Sequence, residues 1–287
     1  MEDVVRKGVE SMIDTLPTEF NMVDVEARVV DKNPYVVCAL QEATRMNGLI
    51  SFIRRSLEEL TLGLDGALNM SPSMEATQTG IFKNSVPPLW MAQMSTRVQE
   101  VYNLGRWFRD VLERHAQLDT WLGGKVEDMP KSVWLPGLFN AKAFVTAVQQ
   151  VYARKAGLPL DVMKFMTEVT KYSAMDQIGE APAEGAYIHG LTMEGARWDT
   201  KSGCVRASNP KELRCPMPVI RVVPVPSDKY SAAGYYMCPV YANMQRANVY
   251  SAQVSTFTLK LHKDDAAMPS KWTLASVALL LQDELAV

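Results

Sequence analysis

The chain has 287 residues, of which 47% are hydrophobic and 22% are charged, and its formal net charge is −2. This composition is ordinary for a globular domain, and it excludes the concentrated basic surface that nucleic-acid binding requires. No apolar run approaches the roughly 20 residues that span a bilayer, and the first ten residues carry no apolar segment of a signal peptide. We therefore expect an intracellular chain with neither a nucleic-acid nor a membrane partner.

The first half of the chain has the apolar periodicity of helices. A short amphipathic pattern ends at Leu16, which precedes a proline. Asn33 and Pro34 then form an N-cap followed by proline at the first helical position. From Val36 to Ala67, apolar residues recur at spacings of three and four, which predicts one long helix with a single apolar stripe.

Further helices follow after breaks made by proline and glycine. Ser71 repeats the cap-then-proline signal and opens a shorter helix toward Phe82, and the prolines of 86–90 then interrupt the helical pattern. Helical periodicity resumes in 101–122 and in 140–155. The sequence therefore predicts an N-terminal α-helical subdomain of about five to six helices.

The second half changes to short apolar and β-branched runs between Gly, Pro, Asn and Asp residues, a pattern typical of strands. The predicted strands are Ala186–Met193, Pro218–Val225, Tyr235–Tyr241, Tyr250–Leu261 and Trp272–Leu281. In the fourth, Leu259 and Leu261 alternate with polar residues, which places Lys260 on the polar face. Several short strands with turn signals indicate a small sandwich or barrel, so the predicted fold class is α+β.

No motif in the sequence carries recognisable chemistry. The nearest approach to a phosphate-binding P-loop is 118–126, but Leu118 stands at the first glycine position and Val126 at the Ser/Thr position. None of the four cysteines belongs to a C-x-x-C pair, and His115, His189 and His262 lie at no metal-ligand or triad spacing. We therefore predict no catalytic, cofactor-binding or metal-binding residue, and buried thiols at the cysteines.

Six tryptophans stand out, and four of them lie in or beside segments with turn-forming Pro or Gly. They are Trp90, Trp107, Trp121, Trp134, Trp198 and Trp272. Each tryptophan buries a large apolar area, and its indole N–H usually needs a hydrogen-bond partner. Core anchors at helix and strand junctions are the simpler interpretation, and a docking surface for another domain is the alternative.

A series of junction motifs, ordered along the whole chain, carries a family resemblance. The motifs include Leu16–Asn21 (LPTEFN), Pro34–Glu42 (PYVVCALQE), Val86–Trp90 (VPPLW), Val133–Asn140 (VWLPGLFN), Glu184–Leu191 (EGAYIHGL), Glu194–Asp199 (EGARWD), Met217–Ile220 (MPVI), Cys238–Tyr241 (CPVY) and Val277–Gln282 (VALLLQ). In this order they resemble the C-terminal domain of dynein heavy chains, and most of all the β-type outer-arm heavy chains of cilia and flagella. Pro136 and Leu138 depart from the family pattern beside Gly137, which concerns packing and leaves the resemblance intact.

The resemblance implies a place in a much longer polypeptide. The helices would lie across one face of a ring of six AAA+ modules, and the second half would form a small, partly open β-barrel. ATP and magnesium would bind in the parent ring, and this fragment would hold no cofactor. Its partners would be other AAA+ modules of the same heavy chain, whereas intermediate chains, light chains and the microtubule would meet other parts of the heavy chain. Met1 would then not be the native start, and the location would be a ciliary or flagellar axoneme.

The resemblance also implies a division into segments and a role. Residues 1–30 would close the small lid subdomain of the sixth module, 31–180 would form the helical subdomain, and 181–287 the β-barrel subdomain. The expected role is structural and regulatory, because a layer that bridges several modules lets one module respond to another. The fold-defining signature positions are Trp90, Trp134, Gly137, Gly190, Gly195, Trp198, Pro218, Pro239 and Trp272. A free-standing β-barrel module that binds a protein or a small ligand is the alternative function.

Overall fold

The computed structural model describes residues 2–94, 103–242, 247–248, 251–252, 255–264 and 268–281. The chain divides into two compact units, of which the first comprises Met1–Val30 with Ala39–Val126 and the second comprises Asp31–Cys38 with Glu127–Val287. These limits differ from the segments 1–30, 31–180 and 181–287, which stay a prediction about the parent polypeptide.

The first unit is helical. Its helices are α1 (Glu2–Thr15), α2 (Met22–Ala27), α3 (Pro34–Leu64, whose first turn groups with the second unit), α4 (Pro72–Phe82), α5 (Pro88–Gln93) and α6 (Leu104–Gly123). Two predicted caps are confirmed, because Asn33 accepts a hydrogen bond from the N–H of Val36 at 3.0 Å and Ser71 from that of Met74 at 3.3 Å. The predicted stripe of α3 forms the core of the unit, where Met46 is completely buried.

Two details of the first unit go beyond the prediction. The prolines of 86–90 do end the helical pattern, but a new short helix, α5, begins at Pro88, since proline at the first helical position needs no N–H partner. The short helix α2 was not predicted, and Asn21 caps it by accepting from the N–H of Asp24 at 3.3 Å. Of the predicted helix 101–122, residues 101 and 102 lie outside the described residues.

The second unit combines helices with strands. Its helices are α7 (Ala141–Ala156) and α8 (Pro269–Leu274). Its strands are β1 (Val133–Trp134), β2 (Met163–Val169), β3 (Ala186–His189), β4 (Thr192–Glu194), β5 (Arg197–Asp199), β6 (Cys204–Arg206), β7 (Arg214–Pro216), β8 (Ile220–Pro226), β9 (Tyr235–Tyr241), β10 (Ala247–Asn248), β11 (Ser251–Ala252), β12 (Phe257–His262) and β13 (Ala278–Leu280). The α+β class, with helices first and strands second, is confirmed.

The strands form two main sheets and two ribbons. One sheet has the order β1-β3-β8-β2, the other β12-β9-β13-β4-β7, and the ribbons are β5-β6 and β10-β11. None of these sheets closes into a barrel over the described strands. The two main sheets meet where the N–H of Lys260 on β12 donates to Oγ1 of Thr167 on β2, at 3.2 Å.

Three predictions about strands need correction. The predicted strand Ala186–Met193 is two strands, because Gly190 turns the backbone with a φ of +83°. The first part of Trp272–Leu281 belongs to α8, which starts at Pro269, and only Ala278–Leu280 is a strand. Strand β2 lies in a region predicted to be helical, and it exists because all seven of its residues pair with β8.

The predicted strand Tyr250–Leu261 is only partly described. Residues 250, 253 and 254 lie outside the described residues, while Phe257–His262 forms β12. Leu259, Lys260 and Leu261 are all buried in succession, so both faces of this strand are covered. The alternation of β12 therefore does not distinguish a buried from an exposed face at Lys260.

Candidate functional site

The signature position Trp90 anchors the core of the first unit. Its side chain is completely buried, and its indole N–H donates to Oγ of Ser56 on α3 at 2.8 Å. Its ring stacks on Trp107 of α6 with centroids 5.7 Å apart. A cavity of about 140 Å³ lies beside it between α3, α4 and α5. The interpretation of Trp90 as a core anchor is supported by this geometry, because its polar atom is satisfied inside the unit.

Trp134 and Gly137 form a second structural site. Residues 135–137 make a tight helical turn directly after β1, and this turn brings the Trp134 ring onto the Cα of Gly137. A Cβ at position 137 would overlap atoms of that ring. The glycine is therefore required by the approach of an aromatic side chain, a reason that the sequence motif alone did not provide.

Three glycines spaced five residues apart explain the strongest sequence motif. Gly185, Gly190 and Gly195 have φ values of +79°, +83° and +80°, which residues with a side chain rarely adopt. They precede β3, separate β3 from β4, and separate β4 from β5. At Gly195, a Cβ would also lie 2.7 Å from the carbonyl oxygen of Ala275, just after α8. This part of the motif encodes chain reversals and close packing.

The two signature prolines lie at strand junctions. Pro218 is half-buried in the link between β7 and β8, where the N–H groups of Met217 and Val219 donate to backbone carbonyls at 2.9 Å. Proline has no backbone N–H, but the two hydrogen bonds that hold this link come from its neighbours, so a proline at 218 is compatible with both. Pro239 lies within β9, immediately before the two residues that pair with β13.

Two further tryptophans complete the signature set. Trp198 on β5 is 6% exposed and Trp272 on α8 is 2% exposed, so both belong to the interior of the second unit. Nζ of Lys271 lies 4.7 Å from the centroid of the Trp272 ring. Of the nine signature positions, Trp90 lies in the first unit and the other eight lie in the second unit. Their role as fold-defining positions stays a prediction.

A cluster that sequence reasoning missed surrounds Lys260. This side chain is 1% exposed, and its Nζ lies 4.3 Å and 4.2 Å from the ring centroids of Tyr230 and Tyr235. The same nitrogen lies 3.0 Å from Sδ of Met166. Burial lowers the pKa of Lys260. We call Tyr230, Tyr235 and Met166 the Lys260 cage; the alternating pattern of β12 could not reveal it, because the cage comes from other strands and a loop.

His189 also has an unpredicted partner. Its Nδ1 lies 2.8 Å from Oγ of Ser132, just before β1. Burial lowers the pKa of His189 to about 4, so the imidazole is neutral at neutral pH. Within the described ranges no carboxylate bonds to this histidine, and the pair lacks the third group that orients a catalytic imidazole. The contact connects Ser132, which directly precedes β1, to β3.

Two kinds of feature, a metal-binding cluster and a membrane-crossing helix, are absent from the described residues. Among them, no cluster of three or more His, Cys, Asp and Glu side chains could hold a metal ion. A membrane-crossing helix is likewise not found in the described part of the sequence. The four cysteines are buried, as predicted.

Together these features define an α+β domain whose distinctive residues shape packing and chain reversals. The family model for the C-terminal domain of the dynein heavy chain matches residues 1–281, and the protein belongs to this family. It is 60% identical over 285 residues to the dynein alpha chain of the flagellar outer arm of Chlamydomonas reinhardtii, covering 99% of this chain. It is 43% identical over 281 residues to the ciliary dynein beta chain of Tripneustes gratilla, covering 98% of this chain.

The resemblance to outer-arm heavy chains is confirmed, and it can now be refined. The dynein beta chain of the flagellar outer arm of Chlamydomonas reinhardtii is 42% identical over 287 residues, so an alpha chain is more similar to this protein than these two beta chains are. The protein spans only 6% of the length of each of these three relatives.

Proposed function

We propose that this protein is a non-catalytic structural and regulatory domain of an axonemal dynein heavy chain. In this proposal it braces the ring of AAA+ modules and modulates force and processivity during microtubule-based movement of a cilium or flagellum. The observation that carries the proposal is the match over residues 1–281 to the C-terminal domain family, with relatives named for the flagellar outer arm and for cilia. ATP and magnesium would bind elsewhere in the parent polypeptide.

Dense packing supports a mechanical role. Trp90, Trp107 and Phe144 are completely buried, and Trp134 leaves no space for even a methyl group at position 137. Close-packed interiors have low compressibility and transmit strain. A domain of this kind can couple modules only if its contacts differ between their two states. The signature positions would then matter because they keep each unit stiff.

An apolar surface on the first unit is a candidate contact with the neighbouring modules. Arg6 on α1 donates to the carbonyl oxygen of Leu64 at 2.6 Å, which joins the start of α1 to the end of α3. A Cβ at Gly8 would lie 2.9 Å from Ile81, which joins α1 to the end of α4. Exposed apolar side chains lie on α1 (Val4), near and after the end of α3 (Leu62 and Leu68) and at the end of α4 (Phe82). Contiguous exposed apolar groups mark interaction surfaces.

The finer parts of the proposal concern boundaries and the barrel. Residues 1–30 would complete the lid of the sixth module, 31–180 would form the helical layer, and 181–287 the β subdomain. The contact between β2 and β12 would be one closed side of a partly open barrel. Intermediate chains, light chains and the microtubule would bind to other parts of the heavy chain.

Truncation of the full-length heavy chain tests this proposal. Removing residues 31–287 while keeping 1–30 should leave basal ATP hydrolysis present but change microtubule gliding velocity, because the ring loses its brace without losing its catalytic modules. A matched control that removes only 282–287 should glide at the parental velocity. Equal velocities for the two truncations, both with intact ATPase, would count against the proposal.

A further inference from the structure

Met237 links the surface of the second unit to the buried Lys260. Its side chain lies on β9 and is 42% exposed. The hydroxyl of Tyr230 donates a hydrogen bond to its Sδ at 3.3 Å, and the ring of the same Tyr230 lies 4.3 Å from Nζ of Lys260. Met237 and Lys260 are also direct partners in the β9–β12 pairing, so their side chains share one face of the sheet.

The Lys260 cage replaces a counter-ion. Within the described part of the sequence no carboxylate pairs with this ammonium group, although the residue is 1% exposed. A buried charge is costly without compensation, and the two tyrosine rings supply attraction through their negative faces. Lys260 also joins the two main sheets, since its N–H donates to Thr167 on β2. The Lys260 side chain itself also reaches β2, where its Nζ lies 3.0 Å from Sδ of Met166, so Tyr230 packs on a side chain at this junction.

We propose that Met237 is a sulfoxidation site that controls the Lys260 cage. An oxidant of the peroxide class transfers one oxygen atom to Sδ. The O–O bond breaks and an S–O bond forms, the sulfur loses two electrons, and the second peroxide oxygen leaves as water. The product is a methionine sulfoxide, which converts an apolar side chain into a polar one and is enzymatically reversible.

The geometry connects this oxidation to the cage. An O–H···O hydrogen bond needs about 2.7 Å between oxygens, so the 3.3 Å between Sδ and the Tyr230 hydroxyl leaves no room for an interposed oxygen. Where the new oxygen points toward Tyr230, we expect it to displace the Tyr230 hydroxyl and, with it, the ring. Lys260 then loses one of its two aromatic partners and becomes accessible to solvent. Oxidation at the surface is thereby converted into loosening at the sheet junction.

Amine labelling after oxidation tests the proposal. The protein is treated with dilute hydrogen peroxide and then with a short pulse of a water-soluble amine-reactive ester, and modification of Lys260 is measured by mass spectrometry. Loss of one cation–π contact predicts a rise of about tenfold in Lys260 labelling. The variant Met237→Leu, which keeps the size but cannot be oxidised, should show no rise. Reduction by methionine sulfoxide reductase should reverse the effect in the unsubstituted protein.

Internal controls make the result decisive. The exposed Met175 and Met268 should oxidise equally in the unsubstituted protein and in Met237→Leu. The variant Tyr230→Phe lacks the hydroxyl and should show no rise in Lys260 labelling on oxidation. The proposal is overturned if Lys260 labelling stays constant while Met237 is fully oxidised. It is also overturned if labelling rises equally in Met237→Leu, or if Met237 resists peroxide while Met175 and Met268 react.

Discussion

Acidification should destabilise the second unit through His189. Burial lowers its pKa to about 4 in the folded protein, against about 6.5 for an unperturbed histidine. Between these values the unfolded state binds a proton that the folded state does not, so the free energy of unfolding falls as the pH falls through this window. At 1.36 kcal/mol per pKa unit the gap corresponds to about 3 kcal/mol. Because the ring keeps partial solvent access, we expect a loss of about 1–2 kcal/mol.

Urea unfolding at a series of pH values, followed by circular dichroism, measures this loss. The variant His189→Gln cannot be protonated and can still bond to Ser132, so its unfolding free energy should depend less on pH below neutrality. The comparison variant His115→Gln, in the first unit, keeps His189 and should therefore keep the pH dependence that His189 supplies. Burial also lowers the pKa of His115, so this variant loses only the contribution of His115. Parallel pH profiles for the unsubstituted protein and His189→Gln would refute the reasoning.

Two substitutions in the second unit test the packing account. Gly137→Ala forces a methyl group into the ring of Trp134 and should lower the free energy of unfolding, measured in urea, by about 1–3 kcal/mol. The control Gly179→Ala, where no atom lies within 4 Å, should be close to neutral. Equal losses for the two variants would contradict the claim that the Trp134 ring requires a glycine at position 137. Lys260→Met should stay within about 1 kcal/mol of the unsubstituted protein at neutral pH, since it removes a buried charge together with its cation–π contacts. Because burial lowers the Lys260 pKa, the unsubstituted protein should gain stability as the pH rises toward 10.5, and Lys260→Met should lack that gain.

Local chemistry determined which parts of the fold could be predicted from the sequence. Each of the caps at Asn33 and Ser71 could be predicted from two adjacent residues, a capping side chain followed by a proline. In both cases the side chain accepts a hydrogen bond from a backbone N–H of the first helical turn. The sequence also predicted the turn that ends at Gly185, but it did not predict the turn at Gly190, which lies inside the predicted strand Ala186–Met193. Family motifs extended this reasoning to the whole sequence, because their order is specific even where no single motif is.

Features made by distant partners could not be predicted in the same way. Strand β2 depends on pairing with β8, which lies about fifty residues further along the sequence, and its own residues alternate weakly. Lys260 has the polar character of an exposed position, yet tyrosines from 230 and 235 and a methionine from β2 enclose it. The Trp134 ring explains Gly137 only once the turn between them is seen.

The stall force of single motors in an optical trap tests the mechanical role most directly. The comparison is between the full-length heavy chain and the form that ends after residue 30 of this segment, with ATPase measured on both. The account predicts that both hydrolyse ATP but that stall force and run length differ. Identical stall forces and run lengths, with ATP hydrolysis preserved, would contradict the claim that this domain acts mechanically on the ring.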